Sequence, residues 1–176
     1  ARREQADLFI SLHADAAPNS ATGPRGAAVY TLSDSGTNRA RNRARQDGEW
    51  LQTSAVRTEQ VNNLLLEMSL QEKRNQSLIF AASILEASSS ITPLFRREPL
   101  ERGFWVLLDS QIPAVLFEMG FMTNPDDSRN LNTPAYRQRL MTAVADSIDS
   151  YFAVCNSSGA VRTAAAGSNA GGPALR

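Results

Sequence analysis

Two side chains in this sequence sit where a folded chain could bind a metal ion or move a proton. His13 follows directly on the apolar run Leu8-Phe9-Ile10-Ser11-Leu12, and Glu118 ends the run Pro113-Ala114-Val115-Leu116-Phe117. An imidazole at the exit of a rigid strand is held firmly enough to ligate a metal ion through its neutral ring nitrogen. It cannot build such a site alone, because catalytic zinc takes about three protein ligands and keeps one position for water. His13 is the 1 histidine of the chain; the alternative for it is a surface or hydrogen-bonded role. A carboxylate ending an apolar strand needs compensation, since burying an unpaired charge is costly. Glu118 therefore reads either as the partner of an arginine or as a general base whose pKa is tuned by partial burial beside a metal. Gly120 lets the backbone pass close to a neighbour, and Asn124-Pro125 makes a turn able to fix the loop that follows.

The elements that must position these two residues follow from hydropathy. The run 8–12 is short and almost wholly apolar, which predicts a central strand covered on both faces. A loop rich in small and polar residues, 16–26, leads to a second strand over 27–32, stopped by Ser33-Asp34-Ser35-Gly36. Thr37 to Trp50 reads as a polar helix. Val61, Leu64, Leu65 and Met68 recur at helical spacing and predict an inward-facing helix. Leu78, Ala81, Ala82 and Leu85 predict a second, capped by Asn75 and closed by Ser88-Ser89-Ser90. Phe104–Leu108 and Ala114–Phe117 read as two further strands around the turn 109–113. Thr133-Pro134 starts a last helix, with Leu140, Val144, Ile148 and Tyr151 on one stripe. Beyond Phe152 the sequence becomes poor in large apolar residues, and 153–176 is expected to be a disordered tail or linker. Strands and helices interleaved in this way predict an α/β domain, a mostly parallel mixed sheet with helices on both faces. Its ligand site belongs at strand ends.

Composition narrows the function classes. With 176 residues and 42% hydrophobic content the chain can bury one sizeable core. Its 18 basic and 18 acidic residues cancel, so no net field favours nucleic acid or an anionic membrane. Arg39, Arg41, Arg43 and Arg45 point to different sides of a helix and read as a solvated surface. No apolar run approaches the roughly 20 residues of a membrane span. Cys155 is the 1 cysteine; it can form no internal disulfide, and without a neighbouring base it is a poor nucleophile.

The segments 6–16 and 26–33, that is Ala6-Asp7-Leu8-Phe9-Ile10-Ser11-Leu12-His13-Ala14-Asp15-Ala16 and Gly26-Ala27-Ala28-Val29-Tyr30-Thr31-Leu32-Ser33, resemble the zinc-dependent N-acetylmuramoyl-L-alanine amidases of bacteria. The stretch Ile112-Pro113-Ala114-Val115-Leu116-Phe117-Glu118-Met119-Gly120-Phe121-Met122-Thr123-Asn124-Pro125 is similar to that family's second signature. Both motifs stand in the family's order, and the likeness covers residues 1–152.

The resemblance implies that His13 is a zinc-ligating histidine and Glu118 the catalytic glutamate, which is not itself a ligand. It implies Zn2+ as cofactor, peptidoglycan as substrate and a periplasmic or secreted location, with a division-site activator protein as a possible partner. The bond cut would be the amide between N-acetylmuramic acid and L-alanine. The family's first zinc histidine, in a Gly-His-Gly-Gly stretch, and its zinc-binding glutamate have no counterpart here; Glu4 and Asp7 do not stand in the matching context. The expectation is a domain beginning partway, without its first strand and helix, so that the chain alone hydrolyses poorly. Some members cover the zinc with an extra helix after the second strand, for which 34–60 is the place in this chain; its polar, arginine-rich content favours an ordinary surface helix. The alternative reading is a non-catalytic domain that binds cell-wall glycopeptide or a division protein.

Overall fold

In a computed structural model of the protein, the described residues are 1, 4–17, 23–47, 58–109 and 111–167, with side chains at 47 and 156–167 left aside. Four strands form the frame: β1 (Phe9–Asp15), β2 (Ala28–Leu32), β3 (Leu100–Arg102) and β4 (Ala114–Phe121). Their order is β1-β4-β2-β3. β1 runs parallel to β4 and β2 parallel to β3, while β2 and β4 are antiparallel, so the sheet is mixed as expected. The best-covered strand is β4, buried along nearly its whole length. The sequence reading gave that position to the run 8–12, and this is corrected: β1 lies at the sheet edge, with Leu12 46% exposed. An apolar run shows that a strand is partly covered, but not which neighbours it has.

Alternation along β4 divides the interior in two. Ala114 and Leu116 join Leu32, Leu66, Leu70, Leu107 and Leu108 on one face, beneath Ala40 and Ala44 of α1 (Asp34–Asp47). Val115 and Phe117 join Val29, Phe80 and Ile84 on the other, beneath Leu140, Val144 and Tyr151 of α4 (Pro134–Gly167). Helices therefore cover both faces.

α2 (Glu59–Ser88) is a single helix, not the two that the sequence suggested. Thr58 is its N-cap, accepting from the Val61 amide, and Asn75 lies mid-helix. Its buried ridge is Leu66, Leu70, Lys73, Ser77, Phe80, Ala81, Ile84 and Leu85; Val61, Leu64 and Met68 face solvent. The period was right, and the predicted Ala81 and Leu85 do face inward; the phase was wrong for Val61, Leu64 and Met68, and Lys73 and Ser77 occupy the inward ridge between the two stretches. The Lys73 ammonium donates to the carbonyls of Leu107 and Asp109, and the Ser77 hydroxyl accepts from the Ala114 amide. Those bonds hold the chain as it enters β4. They also help fix a short 3-10 turn at Trp105–Leu107 where a strand was expected over 104–108; the strand of that region is β3, a few residues earlier.

A further helix, α3 (Pro125–Asn132), starts at the predicted Asn124-Pro125 turn, with the Asn124 side chain accepting from the amides of Asp126 and Asp127. α4 begins at Pro134 as the sequence predicts, although the Thr133 hydroxyl donates back to the Arg129 carbonyl instead of capping α4. α4 continues to Gly167, past residue 152, and its alanines have the highest intrinsic helix propensity. Residues 168–176 of the expected tail lie outside the described residues, as do 48–50 of the expected polar helix, 18–22 of the loop before β2 and 48–57 of the segment considered for a covering helix.

Candidate active site

His13 and Glu118 are direct register partners across β1 and β4. In a parallel pair, register partners project from the same face, with strands about 4.8 Å apart. Ala28 pairs with Glu118 from the other side. One row of the sheet thus holds an imidazole, a carboxylate and a methyl, and the two residues singled out for chemistry stand next to one another.

Their surroundings differ. His13 is exposed, and its Nε2 lies 2.9 Å from the Ser11 hydroxyl, two residues back on the same face. Glu118 is only 6% exposed. Its Oε2 is fully buried and has no hydrogen-bond partner among the described residues. Burial pushes the Glu118 carboxyl up to about 7, the negative charge of Asp15 adds to the rise, and the Asp15 backbone amide opposes it. Asp15 ends β1 beyond a register shift that sets it opposite Phe121. The arginine partner considered for Glu118 is not found: the ion pairs among the described residues use Asp34, Glu67, Glu101 and Asp126.

Sequence reasoning missed three contributors. Asp15 stood in the quoted motif without a role. Tyr30 projects from the same face as Ala28 and Glu118; burial, then the charge of Glu118, raises its phenol pKa. Asp127 is a buried carboxylate whose Oδ2 accepts from the amides of Gly26 and Phe121, at 2.7 and 3.0 Å. It fastens the exit of β4 to the entry of β2. Gly120 has φ +152, and a Cβ there would come within 3.1 Å of Asp127, which is the close approach its glycine predicted. The signal for Asp127 was its place three residues after a capping asparagine.

The donor set falls short of a zinc site. Among the described residues no group of three or more His, Cys, Asp or Glu side chains is placed to hold a metal ion. His13, already beside Ser11, is the single imidazole. What the row can do unaided is present a carboxylate pushed up to about 7 beside an imidazole, in a rigid sheet.

Solved structures of other proteins share this fold. The chain matches an N-acetylmuramoyl-L-alanine amidase from Clostridium difficile 630 with a TM-score of 0.56 and 20% identity, over 85% of this chain and 60% of that one. It matches the CwlD amidase of Clostridioides difficile, solved in complex with the GerS lipoprotein, with the same score and identity over 85% of this chain and 56% of that one. In sequence it is 34% identical over 158 residues to the AmiA amidase of Salmonella typhimurium and 31% identical to that of Escherichia coli K12. Each match covers 86% of this chain and 54% of the relative, so the chain spans about half the length of the curated relatives it matches. The N-acetylmuramoyl-L-alanine amidase family profile matches residues 1–150, and the chain belongs to that family.

Proposed function

We propose that the protein hydrolyses peptidoglycan at the amide between N-acetylmuramic acid and the L-alanine of the stem peptide, with Glu118 as general base. The observation that carries this reading is the pairing of a buried, partnerless carboxylate oxygen with an adjacent imidazole. A base is most effective when its pKa lies near the working pH, and Glu118 is pushed up to about 7. Its carboxylate takes a proton from the attacking water. The carboxyl then returns a proton to the departing alanine nitrogen, leaving lactate carboxylate on the glycan and a free amine on the peptide.

Zinc is the cofactor that family membership suggests, and His13 is the ligand we assign to it. With Glu118 acting as the base, His13 falls short of the three protein ligands of a catalytic zinc, so a zinc-dependent reaction needs donors beyond the described row. A periplasmic or secreted location follows from the substrate; no described helix is long and apolar enough to cross a membrane. A protein partner fits the exposed apolar stripe Val61, Leu64 and Met68 on α2.

The shortfall of metal donors favours one other reading, a non-catalytic module that binds cell-wall glycopeptide. Mass spectrometry of purified peptidoglycan after incubation with the protein and excess zinc separates the two. Hydrolysis predicts stem peptides with a free L-alanine amine and intact muramic acid. Binding without any such product supports the module.

A further inference from the structure

Three consecutive side chains on the turn between β3 and β4 face solvent: Phe104 at 39%, Trp105 at 72% and Val106 at 45% exposure. The next two residues, Leu107 and Leu108, are buried. The turn is therefore anchored by one half and presents the other outward. Contiguous exposed apolar side chains of this size mark interaction surfaces more often than chance.

This surface continues into the candidate active site. The Phe104 ring meets Tyr30 edge-on, with centroids 5.4 Å apart and planes at 76°. Tyr30 stands two residues along β2 from Ala28, the register partner of Glu118. Ala28 contributes only a methyl, so Tyr30 is the first large side chain of β2 beside the carboxylate. The charges of Glu118, Arg102 and Asp15 all reach its phenol. At the far end, the Arg39 guanidinium lies over the Trp105 ring, 5.9 Å from its centroid, while also donating to the Gly103 carbonyl. The indole is thus oriented before any ligand arrives, which lowers the ordering cost of binding.

We propose that Tyr30, Phe104 and Trp105 form one aromatic wall that takes sugar rings of the glycan strand and leads them away from Glu118. The axial C–H faces of a pyranose are apolar and pack flat on aromatic rings, while its rim hydroxyl and acetamido groups keep their contact with water. Of the two arginines beside the wall, Arg39 is held by the indole and the Gly103 carbonyl and Arg102 donates to the Glu101 carbonyl, so the apolar rings dominate what the wall offers a ligand. The wall rests on the amidase reading only for its substrate, since glycan adjoins the amide to be cut.

Calorimetric titration of the whole chain with a tetramer of N-acetylglucosamine, which carries no peptide, tests the wall without requiring turnover. A parallel titration uses the dipeptide L-alanyl-D-glutamate. The glycan is expected to bind, about tenfold more weakly to Trp105→Ala and within about threefold for Trp105→Phe. The thermal midpoints should stay together, because Trp105 is mostly exposed. Absence of glycan binding, equal affinity in Trp105→Ala, or binding of the dipeptide alone would overturn the proposal. A chain that binds glycan through Trp105 yet releases no stem peptide even with zinc in excess sinks the amidase reading and keeps the wall. One that cleaves peptidoglycan and binds glycan equally well without the indole keeps the amidase reading and removes the wall.

Discussion

Glu118 concentrates the chemistry of this chain because its environment opposes its own charge. Burial and the neighbouring Asp15 hold its carboxyl up to about 7, against the ordinary value of 4.5. The folded state therefore keeps a proton that the unfolded state releases between pH 4.5 and 7. The resulting stability is present at the acid end of that window and is lost as pH rises through the folded value. Glu118→Gln, which cannot ionise, should remove this loss. The thermal midpoint of the variant is expected to fall less than that of the parent between pH 5 and 8, as scanning calorimetry would reveal; parallel curves would contradict the burial argument. His13 makes a separate prediction. If it is the metal's imidazole, His13→Ala weakens zinc binding in a titration with added metal while Glu118→Gln does not, and equal affinities for all three proteins would remove His13 from that role.

At the scale of elements, the site depends on bonds that tie β4 to its neighbours at both ends. Lys73 and Ser77 of α2 hold its entry, and Asp127 of α3 holds its exit. Asp127→Ala would leave the amides of Gly26 and Phe121 without their acceptor, at a cost of about 2–4 kcal/mol. Urea denaturation should show that loss, and a change below about 0.5 kcal/mol would mean the two amides find other partners. Gly26 has φ +86, and a Cβ there would lie 2.2 Å from the Pro93 carbonyl oxygen. Gly26→Ala should therefore destabilise by more than the ordinary glycine-to-alanine effect of about 1 kcal/mol. These ties explain why some elements were legible in the sequence and others were not. Strands β2 and β4 and the start of α4 announce themselves through apolar runs and a Thr-Pro signal. The inward ridge of α2 does not, since a lysine and a serine on it look like a solvent face until the carbonyls and amide they serve are known. The 3-10 turn at Trp105–Leu107 reads as a strand for a related reason: besides its own backbone bonds, it is fastened by Lys73, more than thirty positions away.

For the whole molecule, the sheet order brings together what the sequence keeps 105 positions apart, setting His13 beside Glu118. Both residues were legible as unusual chemistry beside apolar runs, although the structure sets each inside its strand, with β1 ending at Asp15 and β4 at Phe121, and the family motifs supplied their roles. Asp15, Tyr30 and Asp127 were not, because their importance is a matter of which face and which neighbour. The same molecule-wide view limits the metal. With one imidazole and no cluster of three donors among the described residues, the 176-residue chain should hold well under one equivalent of zinc after dialysis. A full equivalent by atomic spectroscopy would mean that donors outside the described residues complete the site.

The pH dependence of stem-peptide release from purified peptidoglycan tests the assignment of the base most directly. The rate should climb as pH rises through about 7, and Glu118→Gln should be slower by at least about a hundredfold across the range while remaining folded. Release by the folded Glu118→Gln protein at the parent rate would show that another group takes the proton.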